Sequence, residues 1–183
     1  MKIGIVLGSI RENRFGQQVA DWVMEQVAGR DDAEHELIDL KSFDVPLLTS
    51  PVHPMRANKQ YDSEGTQRWS AAIDACDAYV FVTAEYNHSV PGPFKNAVDS
   101  LGPEWVGKPV GFISYGSIGG HRAVEAWRQS LANFSMHDVR PQIGFAVGLD
   151  YEMGGELKPI ARRAEELDGL LSELVALSGR LAD

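Results

Sequence analysis

At 183 residues, with 44% hydrophobic and 23% charged side chains, the chain is large enough to bury its own core and is expected to form one domain over 1–183, which excludes disordered and fibrous classes. A formal net charge of -9 argues against nucleic acid or a membrane surface as partner, so any anion it binds requires a local site. No apolar run reaches the ~18 residues of a membrane span, the amino terminus enters a strand pattern directly, and Cys76 as the only cysteine forbids an internal disulfide, all of which point to a reducing cytoplasm.

The first apolar run, 2–7, predicts a strand, and Val19, Val23 and Val27 follow it at helical spacing. A second strand is expected at 36–40. The segment 43–63 carries Pro46, Pro51 and Pro54 and is long for a connection; it reads either as a lid or interface element or as a proline-stiffened surface loop. Trp69, Ile73 and Cys76 mark the next helix, 79–83 the third strand, and a helix starts after Pro91. Strand 110–114, a helix with Val124, Trp127, Leu131 and Phe134, strand 143–147 and a last helix carrying Ile160, Ala164, Leu167, Leu171 and Leu174 complete the chain. Helices separate five strands, so the sheet is expected to be parallel and doubly wound in the order 2-1-3-4-5, with ligands beyond the carboxyl ends of strands one, three and four.

The loops at those ends carry the chemistry. After strand one comes Gly8-Ser9-Ile10-Arg11-Glu12-Asn13-Arg14-Phe15-Gly16 and then a helix, whose free N–H groups favour phosphate. Ser9 adds a hydroxyl and the two arginines add charge-assisted donors; the alternative is a capped helix with solvated arginines. Neither G-x-G-x-x-G nor G-x-x-x-x-G-K-[ST] occurs. After strand three, Thr83 to Ser89 forms a tight polar loop in which backbone groups and the Asn87 amide can meet the edge of a heteroaromatic ring and Tyr86 its face. After strand four, Ser114-Tyr115-Gly116-Ser117-Ile118-Gly119-Gly120 lets the backbone approach a ligand closely. Tyr86 and Tyr115 can equally be rim aromatics, and Gly119-Gly120 a helix entry. A phosphate at the first loop and a ring between the other two describe a mononucleotide. The five histidines form no metal cluster, Ser117 is not in a G-x-S-x-G elbow, and Lys95 with Asp99 either stabilises its helix or faces a second subunit.

Three stretches resemble the NAD(P)H-dependent FMN reductases of the flavodoxin-like superfamily over about 2–147. They are Gly8-Ser9-x-Arg11, Glu85-Tyr86-Asn87-His88-Ser89-x-Pro91-Gly92 continuing to Lys95-Asn96-Ala97-x-Asp99, and Gly116-x-x-Gly119-Gly120. The resemblance implies a flavodoxin-like three-layer sandwich, FMN as cofactor, NADPH or NADH as hydride donor, and a flavin, quinone or similar small molecule as electron acceptor. By position, Ser9, Arg11, Asn13 and Arg14 would serve the phosphate, and Ala84, Glu85, Tyr86, Asn87, Ser114, Tyr115, Gly116, Gly119 and Gly120 the ring and ribityl chain. The family usually has proline where this chain has Ala84. The resemblance also implies a homodimer built on the helix after Pro91, or a tetramer of such dimers. No side chain is assigned to catalysis, because hydride transfer to flavin is direct. An electron carrier without nicotinamide turnover, and a reductase specialised for azo compounds, chromate or organoarsenicals, remain as alternatives.

Overall fold

Three strands that are apolar along almost their whole length form the middle of the sheet, because helices cover both of their faces. A computed structural model describes residues 1–182. Its elements are β1 (Lys2–Leu7), α1 (Phe15–Val27), β2 (Glu34–Asp39), α2 (Glu64–Asp74), β3 (Ala78–Ala84), α3 (Gly92–Asp99), β4 (Pro109–Gly116), α4 (His121–Leu131), β5 (His137–Ala146) and α5 (Arg162–Ala182). All five strands are parallel in the order β2-β1-β3-β4-β5, as expected. Helices α1 and α5 bury Val19, Val23, Leu167 and Leu171 on one face of the sheet, while α2, α3 and α4 bury Trp69, Ile73, Phe94 and Trp127 on the other. The result is a flavodoxin-like three-layer sandwich. No helix among the described residues is long and apolar enough to cross a membrane.

The structure corrects several predicted boundaries. Strand β5 begins six residues before 143, because its first half is an edge with exposed His137, Asp138 and Arg140 and only Val139 buried. Pro141 is tolerated there as an edge residue. Helix α2 stops at Asp74, so Cys76 lies beyond it; α4 ends at Leu131, with Phe134 in the 3-10 turn Ala132–Phe134; α5 starts at Arg162, after Ile160. Trp105 is fully buried in the core.

Segment 43–63 is fastened at several points. The Asn96 amide on α3 donates to Pro46 O at 2.8 Å and accepts from Leu48 N at 2.9 Å. Tyr61 OH donates to the buried Glu104 carboxylate at 2.8 Å. Leu47, at 77% exposure, with Val52 and Met55 leaves an apolar surface on this segment.

Candidate functional site

Helices α1, α3 and α4 all begin at the carboxyl edge of the sheet, and none has a side-chain cap from its own N-cap residue. Helix α1 also has no acidic residue in its first turn, so its free N–H groups and positive end remain available to an anion. The two arginines of the first loop differ sharply. Arg11 is exposed on a cleft and is tied to no carboxylate among the described residues. The Arg14 guanidinium turns inward and donates to Ser9 O at 2.6 Å, Gln17 Oε1 at 2.8 Å and Asp39 Oδ2 at 2.5 Å. Ser9 is buried and Asn13 takes a left-handed φ of 50°, which bends the loop around the helix end.

The cleft, about 320 Å³, falls in the range of ligand pockets. It brings together Arg11 and Asn13 of the first loop, Ala84, Glu85 and Tyr86 after β3, and Tyr115 and Gly116 after β4. Tyr115 is largely buried, meets Phe15 edge-on at 5.5 Å, and has its phenol pushed above the ordinary value by burial. Both Glu85 carboxylate oxygens are taken by Arg122 of α4.

Ser9, Arg14, Asn87, Ser114, Gly119 and Gly120 stand outside this lining. Asn87 is at an exposed turn tip. Ser114 is buried and donates to Gly119 O at 2.6 Å, which folds the third loop back on its strand. Gly119 and Gly120 are buried with φ of 88° and 74°, leaving Ser117 and Ile118 at the exposed tip.

One wall has no counterpart in the sequence-based expectation. Phe15 and Gln18 of α1, Ser117, and Tyr151, Met153, Gly154 and Gly155 of the connection between β5 and α5 also line the cleft. Tyr151 stacks on Phe15 at 4.0 Å between ring centres, and Leu157 N donates to Gln18 Oε1 at 2.9 Å. The connection is anchored by the buried Asp150, which accepts from Arg163 Nε at 2.9 Å and Nη2 at 2.8 Å, and from Ala146 N at 3.1 Å. Burial alone would raise the Asp150 carboxyl; the Arg163 guanidinium and the Ala146 N–H outweigh it and hold it below the usual value. The glycines at 148, 154 and 155 were the available sequence signal for this loop.

A family model described as NADPH-dependent FMN reductase matches residues 1–150. An NAD(P)H-dependent FMN reductase of a Nectria species is 42% identical over 156 residues, 81% of this chain and 78% of that protein. Another from Saccharomyces cerevisiae is 29% identical over 148 residues, 76% of this chain and 78% of its own length. A quinone reductase of Pseudomonas putida is 33% identical over 142 residues, 73% and 71% of the two chains. Among solved structures, FerB, a flavoenzyme NAD(P)H:(acceptor) oxidoreductase of Paracoccus denitrificans, superposes with a TM-score of 0.75 over 98% of this chain and 97% of that one, at 23% identity, a likeness of fold.

Proposed function

The chain belongs to the NADPH-dependent FMN reductase family, and from that premise we propose that it passes hydride from NADPH or NADH through FMN, held at the carboxyl edge of its sheet, to a quinone or flavin acceptor. The observation that carries the reading is the free Arg11 beside the uncapped start of α1, on the same cleft as Glu85, Tyr86, Tyr115 and Gly116, in a chain of net charge -9.

The residues present fit FMN. A single phosphate matches one cation and one open helix end, and the exposed tips of the loops after β3 and β4 match the hydrogen-bonding edge of a flavin. Bound FMN supplies hydride acceptance and onward transfer. The protein's own work is to hold and shield. Arg11 and the α1 N–H groups neutralise the phosphate, while Arg14, spent on Ser9 O and Asp39, holds the phosphate loop in shape. Asn87, at the tip of the turn that Tyr86 and Ser89 close, and the tip of the loop after β4 offer backbone groups to the ring, and Ser114, Gly119 and Gly120 shape the third loop from behind. Tyr86, Tyr115 and Tyr151 surround the cleft with aromatic surface and limit water.

The chain is further proposed to act as one domain in the cytoplasm and to pair as a homodimer. The apolar surface of Leu47, Val52 and Met55 beside α3 supports the pairing, and light scattering would separate monomer, dimer and tetramer. The functional test is direct. Apo protein titrated with FMN should quench the flavin's fluorescence, and NADPH without air should then bleach the bound flavin, with reoxidation by a quinone. FMN that binds but is never bleached by either nicotinamide would reduce the protein to an electron carrier.

A further inference from the structure

Glu85 follows the last residue of β3 and, among the described residues lining the cleft, is the one carboxylate. Its side chain is 8% exposed and is fully engaged. Oε1 accepts from Arg122 Nε at 2.7 Å and lies 2.6 Å from Nη2, while Oε2 accepts the Arg122 backbone N–H at 3.2 Å. Arg122 is in the first turn of α4, whose N-cap Gly120 has no side chain to offer. The cap of α4 therefore comes from another loop, 37 residues back in the chain. Glu85 N also donates to Tyr115 O at 3.2 Å. These contacts stitch the loop after β3 to the loop after β4, on the two sides of the cleft where the flavin ring is proposed to sit.

We infer that Arg122 is a positioning residue, which sets the separation of the two ring-holding loops through Glu85 and keeps the Glu85 charge out of the cleft. The inference rests on the FMN reading above. Two guanidinium nitrogens converge on Oε1 while the backbone N–H of the same residue holds Oε2, and together these contacts fix both the distance and the orientation of a nearly buried carboxylate, which a single hydrogen bond does not. Without Arg122 the carboxylate loses its partner in a place with little water. It must turn toward solvent, in part past the place of the lost guanidinium, which is 41% exposed, and in part into the cleft it lines. There it meets an anionic cofactor. Losing Arg122 alone should therefore harm flavin binding more than losing the arginine and the charge together, an outcome that simple loosening of α4 does not produce.

The experiment measures FMN dissociation constants by fluorescence quenching, together with the visible spectrum of the bound flavin, for wild type, Arg122→Ala, Arg122→Lys, Glu85→Gln and the double variant Glu85→Gln/Arg122→Ala. Arg122→Ala should weaken binding about tenfold or more and alter the flavin spectrum, which reports the surroundings of the ring. Arg122→Lys should recover part of the affinity, since it keeps the charge and loses one of the two nitrogens on Oε1. The double variant should bind FMN more tightly than Arg122→Ala alone. A dissociation constant for Arg122→Ala within twofold of wild type, or a double variant weaker than either single by the product of their effects, overturns the inference while leaving the FMN reading intact. If Arg122→Ala does not fold, full affinity and an unchanged spectrum in Arg122→Lys overturn it equally. Wild-type protein that fails to bind FMN removes the FMN reading and the inference together.

Discussion

Tyr86 and Ser89 exchange two backbone hydrogen bonds, N to O in each direction at 3.0 Å, and so close a two-residue turn at the tip of the loop after β3. Both central residues are left-handed, Asn87 at φ 48° and His88 at φ 69°. Asparagine tolerates that region, whereas a histidine there carries strain of about 1–2 kcal/mol. His88→Gly is therefore expected to raise stability by about 0.5–1 kcal/mol after glycine's greater loss of chain entropy, and Asn87→Gly to change it little. Urea unfolding checks both. A loss on His88→Gly would mean that the imidazole makes contacts worth more than the turn's strain.

The first loop gives two arginines with opposite expected phenotypes. Arg11 is free, and a hydrogen bond to a charged group is worth about 1.5–3 kcal/mol, so Arg11→Ala should weaken FMN binding roughly ten- to a hundredfold with an unchanged unfolding midpoint. Arg14, 9% exposed and held by Ser9 O and Asp39, should behave in reverse. Its replacement by alanine should lower stability by about 1–3 kcal/mol even in the absence of FMN. Equal effects of the two substitutions on apo stability would contradict the division of labour.

Asp150 and Arg163 form a nearly buried pair that holds the connection between β5 and α5 against the cleft. Breaking such a pair from one side leaves an unmatched charge, so Asp150→Asn should cost about 3–5 kcal/mol at neutral pH and loosen the Tyr151 wall. The carboxyl is held below its ordinary value in the fold. Its contribution is therefore complete above the unfolded value near 4 and is lost as pH falls through the folded value. The stability gap between wild type and Asp150→Asn should narrow as pH falls below about 4. A gap that persists unchanged into acid would show that the pair's charge is not what stabilises the loop.

His35, on β2, has its Nε2 buried without a hydrogen-bond partner, and burial pushes the imidazole below its ordinary value. The unfolded chain thus binds this proton more readily than the fold. Stability is complete above about pH 6.5 and declines below it, until the folded imidazole also protonates. His35→Val should remove that decline. An NMR titration placing the His35 midpoint above 6.5 would reverse the sign.

What the sequence disclosed follows from where its signals are local. Strands β1, β3 and β4 are buried nearly throughout, so apolar runs mark them; the first half of β5 is an edge with only Val139 buried, and no run reveals it. Loops after β1, β3 and β4 announce themselves through glycine, proline and arginine at the ends of those runs. Arg11 and Arg14, three residues apart, look alike until the chain folds and brings Asp39 beside only one of them. The Tyr151 wall depends on contacts to Gln18 and Phe15 more than a hundred residues away, which no spacing rule encodes.

The last prediction separates two glycines of the loop after β4. Gly120 has φ of 74°, and a Cβ there would lie 2.9 Å from Ser114 Cβ, Tyr115 N and Tyr115 O, all parts of strand β4 that cannot give way. Gly120→Ala is therefore expected to lower stability by about 2–5 kcal/mol, combining left-handed strain with overpacking, and to lose FMN binding as a consequence of a misfolded loop. Gly116 is different. A Cβ at that position would stand 3.4 Å from Gly120 N and 3.5 Å from Glu85 Cβ, ordinary contacts, and the residue lines the cleft. Gly116→Ala should fold within about 0.5 kcal/mol of wild type. Gly116→Leu should place its side chain into the space that the ring or the nicotinamide needs. A hydride donor must come within ~3.5 Å of its acceptor, so the larger side chain should slow anaerobic bleaching of bound FMN by NADPH about a hundredfold, even in protein that still binds the flavin. If nicotinamide and acceptor use that one open side in turn, double-reciprocal plots for wild type should be parallel, and Gly116→Leu should slow reoxidation by a quinone as well. A Gly116→Leu protein that binds FMN and is bleached at the wild-type rate would place the open side of the flavin elsewhere in the cleft.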